Sequence, residues 1–264
     1  MNAAAAWRPP KLIPQPWLRR GLGLGAAAWL TTAVGTIEVN WTRVAEGLTR
    51  GGRFLAAFFP PDFVSKGPDI IEGLVESLTM TVVSTALGIA LSIPVALGAS
   101  RNLAPWPVYL ACRAVVALSR TFQEVLVAIL FVAMVGFGPL AGTLTLAFAT
   151  IGFMAKLMAE DIEALDPAQL EAVRATGAGW WQQLAWGVLP QVKPRLLGLS
   201  LYRVDINFRE SAVLGIVGAG GIGATLNTAF DRYEFDTAAA ILLLIIAIVM
   251  ACEYAAGAIR RAAL

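Results

Sequence analysis

Residues 238–258 read AAAILLLIIAIVMACEYAAGA, and they contain the uninterrupted apolar stretch 241–246 and end shortly before Arg260 and Arg261. A helix needs about 20 apolar residues to cross the hydrocarbon core of a bilayer, so this run predicts a transmembrane helix. The whole chain agrees with that reading, because 58% of its 264 residues are hydrophobic and only 14% are charged. Soluble domains carry about 25% charged residues. The mean hydropathy of +0.69 also indicates a membrane protein.

Five further apolar runs of sufficient length precede this one. The first follows four basic residues, and because no small-residue cleavage site follows it, we expect a retained helix rather than a signal peptide. The second contains Pro94, which a membrane helix tolerates when neighbouring helices satisfy the freed carbonyl. The third carries charged residues in its first half, so only its second half is expected to face lipid. The six predicted spans are residues 21–37, 74–99, 108–136, 140–158, 196–217 and 238–258.

The positions of Lys and Arg predict which side of the membrane each loop faces, because these residues concentrate on cytoplasmic loops. With both termini inside, 13 basic residues fall on the cytoplasmic side and 5 fall outside, which supports six spans. The expected divisions are a cytoplasmic tail at 1–20, a first span at 21–37, an extracytoplasmic loop at 38–69, a main membrane domain at 70–258 and a cytoplasmic tail at 259–264.

Composition argues against several classes of function. The chain has no histidine, which removes the commonest metal ligand and general base. Its two cysteines, Cys112 and Cys252, lie in apolar runs, where a thiol behaves as a small hydrophobic group. The net charge of +2 is too small to indicate nucleic-acid binding. We therefore expect no catalytic residues, no metal site and no nucleic-acid partner, and the lipid bilayer as the surroundings of the chain.

A polar segment, about residues 160–193, separates the fourth and fifth spans. Asp166 and Pro167 predict a helix start, with a capping side chain followed by proline at the first helical position. The sequence Gly177-Ala178-Gly179 predicts a break before a second helix near Trp180. Such a helix-break-helix suits the docking of a cytoplasmic partner. An interfacial amphipathic helix explains it equally well, and its anchors would be Trp180, Trp181 and Trp186.

The same segment resembles the loop that marks permease subunits of ATP-binding-cassette (ABC) importers. The resemblance consists of Glu-Ala, a glycine six residues after the glutamate, and Leu-Pro ending thirteen residues after that glycine. Val173 stands where that family usually has alanine, and Gly187 where isoleucine is typical. The resemblance implies a coupling helix that sits in a groove of the ATP-hydrolysing subunit. The residues to which it assigns this coupling are Glu171, Ala172, Ala175, Gly177, Leu189 and Pro190.

A second resemblance narrows the family. Residues 207–223, NFRESAVLGIVGAGGIG, and residues 120–124, RTFQE, resemble the permeases of phosphonate importers, and the likeness covers about residues 74–258. It implies an all-α, six-helix type I ABC importer permease bundle in the bacterial inner membrane, with residues 70–258 as the permease domain. The implied function is import of phosphonate, phosphite or phosphate by alternating access.

The resemblance also implies partners. The sequence contains no G-x-x-x-x-G-K-[ST] phosphate-binding loop, so the ATPase is expected on a separate chain and this chain is not expected to be an enzyme by itself. The implied partners are two ATP-binding subunits, which bind ATP and Mg, a second permease subunit, identical or paralogous, and an extracytoplasmic substrate-binding protein. No cofactor is expected in this chain.

The glycine-rich end of the fifth span has two interpretations. Three of its glycines spell G-x-G-x-x-G, but the dinucleotide-binding motif requires a preceding strand and a βαβ unit, which this position does not offer. We favour glycines that let membrane helices approach closely or bend, or that form a gate. These glycines are Gly215, Gly218, Gly220, Gly221 and Gly223.

Ionisable residues inside a membrane span are costly, so they normally face the bundle interior or a water-filled cavity. At helical periodicity, Arg203, Asn207 and Glu210 share one face of the fifth span. Asp205 and Arg209 are i,i+4 neighbours on nearly the opposite face. The five residues form either a polar pathway that attracts an anion or a set of salt bridges that fixes the bundle. We favour a salt bridge for Asp205 with Arg209 and leave both possibilities open for Arg203.

Other classes of transporter or enzyme fit less well. A secondary transporter would tend to show inverted repeats with broken helices in both halves, and no convincing internal repeat is present. A membrane-embedded enzyme would need clustered His, Asp or Glu at helical spacing, and histidine is absent. Within the importer class, the alternative substrate is methionine or another small solute, because a similar glycine-rich end occurs in those permeases.

Overall fold

The computed structural model describes residue 13, residues 15–36 and residues 40–263, and this part of the chain contains helices and no strand, as predicted. The elements are α1 (Pro16–Thr36), α2 (Trp41–Ala56), α3 (Gly67–Gly98), α4 (Trp106–Thr121), α5 (Glu124–Val135), α6 (Pro139–Glu163), α7 (Pro167–Ala175), α8 (Trp180–Gln182), a π-helical turn (Gln183–Val188), α9 (Leu189–Leu214), a 3₁₀ turn (Gly215–Val217), α10 (Ile222–Asp231) and α11 (Phe235–Ala263).

The chain forms two compact units, Met1–Ala56 and Ala57–Leu264. The first contains α1 and α2. Sequence reasoning treated residues 38–69 as a loop and did not predict α2. One face of α2 carries exposed apolar side chains, including Trp41 and Leu48, while its charged residues include the ion pair of Arg50 with Glu46. An amphipathic helix of this kind suits the interface between lipid and water.

Helices that could cross a membrane occur in both units. Three helices, α3, α6 and α11, are each long and apolar enough to do so. The number of candidate membrane spans reaches the predicted six only when each of three bent helix pairs is taken as one span. These pairs are α1 with α2, α4 with α5, and the helical stretch Trp180–Val217 with α10.

The centre of the second unit is the close packing of α3 on α6, against which α9 also lies. Small residues make this approach possible. A Cβ atom at Gly88 of α3 would meet the Thr150 side chain of α6, and one at Gly142 of α6 would meet Met80 of α3. Membrane helices associate through such small residues because burial of apolar surface gives no advantage inside lipid. This packing brings the middle of α9 against polar side chains of both neighbours.

Two predicted spans are broken in the structure. The third span, predicted as residues 108–136, bends by 96° between α4 and α5. Phe122 and Gln123 have extended backbones with ψ of 132° and 140°, so the helical hydrogen-bond ladder stops there. The fifth span bends by 42° at the glycine-rich stretch, and α10 follows it. Sequence reasoning did not predict α10.

Candidate coupling segment and intramembrane polar site

The polar segment between α6 and α9 has the predicted helix-break-helix form. The Asp166 carboxylate accepts a hydrogen bond from the Ala168 amide at 2.9 Å, and Pro167 occupies the first turn of α7. The helix ends where Gly177 adopts a left-handed φ of 81°, a conformation that glycine accepts with little strain. In the described part of the chain, no atom beyond the two adjacent residues lies within 4 Å of the position that a Cβ would take there. The glycine is therefore required by backbone conformation and not by packing.

Side-chain hydrogen bonds hold the break in one shape. Arg174 donates to the Gln183 side chain at 3.0 Å, and Gln183 donates to the Ala178 carbonyl at 2.8 Å. The Gln182 side chain accepts from the Gly179 amide at 2.8 Å. The first bond ties α7 to the π-helical turn, and the other two fix the backbone of the break itself. The segment is thus a fixed surface feature.

The inner side of α7 is anchored to the membrane domain. Leu170 is buried in a cluster with residues of α6, the π-helical turn and α9. The glycine at position 187, where isoleucine is usual in the family, lies directly against Leu170. A Cβ atom there would lie 3.1 Å from Leu170 Cδ1, so a larger residue would require the Leu170 side chain to shift, and glycine fits this local packing. The other members of the buried cluster are Ile162, Val188 and Val192.

The face of the segment opposite Leu170 is exposed and carries a cleft. A cleft of about 620 Å³ is lined by Ala172, Val173, Thr176, Gly177, Ala178, Gln182 and Trp186. Trp181 and Trp186 are 75% and 77% exposed. Glu171 is exposed, and its carboxylate has no hydrogen-bond or ion-pair partner among the described residues. Of the remaining predicted coupling residues, Ala175 ends α7, and Leu189 and Pro190 begin α9, where they are exposed.

Arg203 of α9 is buried in the membrane domain, with its side chain 4% exposed. Its Nε donates to Thr150 Oγ1 at 3.0 Å, and its Nη2 lies 3.3 Å from a Glu210 carboxylate oxygen. The guanidinium carbon is 5.4 Å from the centre of the Phe153 ring. The structure thus places Arg203 and Glu210 together on one face of α9, and three contacts fix the guanidinium.

Asn207 joins the three central helices. Its amide nitrogen donates to Thr85 of α3 at 2.7 Å and to Thr150 of α6 at 3.1 Å, and the residue is fully buried. Sequence reasoning placed Asn207 on this face but did not identify either threonine. A signal was available in α3, whose buried face carries hydroxyl residues at helical spacing. These are Ser77, Thr81, Ser84, Thr85 and Ser92.

Asp205 and Arg209 form a separate ion pair on another face of α9. Their closest N–O distance is 2.6 Å. The Arg209 side chain is 52% exposed, whereas that of Asp205 is 13% exposed, and its second carboxylate oxygen is buried without a hydrogen-bond partner among the described residues. Arg203 and Arg209 therefore differ, because the Arg203 side chain is enclosed and the Arg209 side chain is half-exposed.

The glycine stretch after α9 packs tightly against its neighbours. Gly218, Gly220 and Gly221 all have positive φ, from 74° to 85°. The Gly221 amide donates to the Glu76 carboxylate at 2.7 Å, and the Ser77 hydroxyl accepts the first amide of α10 at 2.9 Å. Non-helical backbone at membrane depth needs such internal partners. Gly215 and Gly223 lie against each other where α9 and α10 meet.

A polar cavity opens at the break between α4 and α5. Its volume is about 370 Å³, and Arg203 and Phe153 form one wall. The other lining residues are Ser119, Arg120, Thr121, Phe122, Gln123, Glu124 and Ala149. The RTFQE motif of residues 120–124 thus lies entirely in the wall of this cavity. Neither this cavity nor any other part of the described residues contains a cluster of three or more His, Cys, Asp or Glu side chains arranged to hold a metal ion.

Comparison with known proteins agrees with this architecture. A family profile described as "Binding-protein-dependent transport system inner membrane component" matches residues 80–262. The "Phosphate-import permease protein PhnE" of Mycolicibacterium smegmatis (strain ATCC 700084 / mc(2)155) is 46% identical over 202 residues, which cover 76% of this chain but 38% of that protein. The "Phosphite transport system permease protein PtxC" of Stutzerimonas stutzeri is 39% identical over 221 residues, covering 83% of this chain and 80% of that protein.

A solved structure also shares the fold. It is a chain of the MetNI methionine ABC transporter in an inward-facing conformation, with a TM-score of 0.65 and 25% identity, and the match covers 74% of this chain and 95% of that chain. This chain belongs to the family of inner membrane components of binding-protein-dependent transport systems. It is a multi-pass permease subunit of an ABC importer, whose ATPase is a separate chain.

Proposed function

We propose that this chain is the membrane-spanning subunit of an importer for a phosphorus oxyanion, namely phosphonate, phosphite or phosphate. Support for the substrate class comes from two relatives named for phosphate import and phosphite transport, at 46% and 39% identity. The methionine alternative is weaker, because the methionine transporter with the same fold is only 25% identical. The resemblance to phosphonate permeases rests on two stretches of sequence. Residues 120–124 line the polar cavity, and residues 207–223 contain the glycine-rich break.

The observation that carries the role of this chain is the segment from Asp166 to Pro190. It is fixed internally by hydrogen bonds, anchored by Leu170, and open outward through a cleft with exposed tryptophans. In our proposal the segment is the coupling helix, and the ATPase subunit supplies a partner for the Glu171 carboxylate.

The proposed assembly contains two ATP-binding subunits, which bind ATP and Mg, and a second permease subunit, identical or paralogous. An extracytoplasmic binding protein delivers the substrate. Both chain termini and the coupling segment lie in the cytoplasm, and ATP hydrolysis drives alternating access. Support for this orientation comes from the 13-to-5 distribution of basic residues.

Purification of the chain with its partners tests the proposal. We expect ATP-binding subunits to co-purify, and the binding protein of the system to carry a phosphorus oxyanion. A binding protein loaded with methionine would contradict the substrate class. Single cysteines test the orientation in intact cells that express a chain without Cys112 and Cys252. An impermeant thiol reagent should label Tyr233→Cys and should not label Gly179→Cys. Labelling at position 179 would contradict the orientation.

A further inference from the structure

The RTFQE motif forms the wall of a cavity in the membrane domain, and its role in import is otherwise unexplained. We propose that this cavity is a transient binding site for a tetrahedral phosphorus oxyanion that carries one proton. The proposal rests on the proposed function, since the ligand is the imported substrate class. The volume of about 370 Å³ is at the small end of ligand pockets, which usually measure about 300 to 1,000 Å³.

Positive charge in the cavity comes from two arginines, and their side chains differ in how firmly other residues hold them. Arg203 is held by Thr150, Glu210 and Phe153, so its charge is largely matched and its position is fixed. Arg120 is exposed, and among the described residues its guanidinium has no ion-pair partner. Arg120 can therefore turn its five N–H donors toward an anion. The N-terminus of α5, which begins at Glu124, adds a favourable dipole.

The remaining polar groups of the wall favour a ligand that can also donate a hydrogen bond. The hydroxyl protons of Ser119 and Thr121 are already used, because they donate to the carbonyls of Phe148 and Ala117 at 2.8 Å. These hydroxyls can still accept a hydrogen bond, as can the carboxylate of Glu124. A fully deprotonated anion would meet acceptors and a negative charge there. A monoprotonated phosphite or methylphosphonate would instead donate its P–OH to them while its other oxygens face Arg120.

The alternative is that Arg120 and Glu124 form an i,i+4 ion pair that stabilises the bend. The structure contains no ion pair between these two described residues, and the helical register is interrupted between them at Phe122 and Gln123. The two side chains face a shared cavity and are not joined along one helix. Their arrangement thus leaves both groups available to a ligand.

Charged thiol reagents test the site without relying on transport. Gln123→Cys, in a chain lacking Cys112 and Cys252, places a thiol in the cavity wall of the purified complete transporter. We expect the ratio of the rate with a sulfonate-bearing methanethiosulfonate to that with its trimethylammonium analogue to be higher at this thiol than for a free thiol in solution. Adding Arg120→Gln should lower the ratio of the anionic to the cationic rate by about tenfold. The loss of one positive charge in a partly solvated site slows the anionic reagent and speeds the cationic one, so both changes lower the ratio. Arg120→Lys should keep most of the ratio, and Arg232→Gln, which removes an exposed charge that does not line the cavity, should leave it unchanged.

Ligand protection tests the chemistry of the site in the same preparation. Phosphite or methylphosphonate at a concentration near its Kd should about halve the rate of modification by a neutral reagent, and sulfate at the same concentration should protect less. A rate ratio that Arg120→Gln leaves unchanged, in a variant that retains its ATPase subunits, would overturn the anion site. Equal protection by sulfate would overturn the requirement for a proton. Failure of the wild-type transporter to import any of phosphonate, phosphite and phosphate would instead contradict the proposed function, which these reagents do not measure.

Discussion

Replacing Asn207 by alanine removes the polar side chain that joins α3, α6 and α9. The variant loses the hydrogen bonds to Thr85 and Thr150, at 2.7 Å and 3.1 Å. It does not strand those hydroxyls, because Thr85 also donates to the Thr81 carbonyl and Thr150 to the Leu146 carbonyl, each at 2.6 Å. The substitution therefore removes interhelical hydrogen bonds at a fully buried position and leaves both threonine hydroxyls with a hydrogen-bond partner.

The expected loss can be estimated from two contributions. Interhelical hydrogen bonds in membranes average about 0.6 kcal/mol, so the two bonds of Asn207 contribute about 1.2 kcal/mol. The truncation leaves a cavity of roughly 30 Å³, which adds about 0.7 kcal/mol at about 24 cal/mol per Å³. The total is about 2 kcal/mol. For a unit of this size it corresponds to a Tm lower by about 4 to 8 °C.

Thermal unfolding of the purified chain in detergent, followed by tryptophan fluorescence, measures this loss. The matched control is Asn227→Ala, which removes only the 3.1 Å bond to Asp231 within α10 and should cost less than about 0.5 kcal/mol. A Tm for Asn207→Ala within about 1 °C of the wild-type Tm would be a shift far below that expected. It would show that the hydrogen bonds of Asn207 do not hold the three helices together.

Three further perturbations have defined outcomes. Gly177→Val should cost about 1 to 2 kcal/mol through its left-handed backbone and weaken retention of the ATPase subunits on purification, whereas Gly198→Val, at an equally open but helical glycine, should not. Asp205→Asn or Arg209→Gln alone should lower the yield of folded complex on size exclusion, and the double variant should recover part of it; equal yields for all three would contradict the ion pair. Ser77→Ala removes the hydroxyl that accepts the first amide of α10, and should lower the Tm by an amount that corresponds to about 1 kcal/mol.

Composition and periodicity were enough to predict the helical membrane bundle and the polar face of α9. Helical spacing alone places Arg203, Asn207 and Glu210 together, since the 3.6-residue period holds wherever the helix is regular. The start and end of α7 were predictable for a similar reason. Asp166, Pro167 and Gly177 act through local backbone chemistry, which the neighbouring sequence determines.

The breaks and the partners of the polar residues depend on tertiary structure. Phe122 and Gln123 include neither glycine nor proline, so no helix-breaking residue marks the 96° bend between α4 and α5. Thr85 and Thr150 are 122 and 57 residues from Asn207 in the sequence, and only the packing of α3 on α6 brings them to it. The contact of Glu76 with Gly221 arises in the same way, across 145 residues.

ATP-driven uptake by the reconstituted complex measures most directly whether this chain is the membrane path for a phosphorus oxyanion. The chain, its ATPase subunits and its binding protein would be assembled in liposomes with ATP on the ATPase side, and entry of radiolabelled phosphite, methylphosphonate, phosphate and methionine would be compared. We expect uptake of at least one phosphorus oxyanion that requires ATP and the binding protein, and no uptake of methionine. Methionine uptake, or phosphorus uptake that continues without ATP, would contradict this assignment.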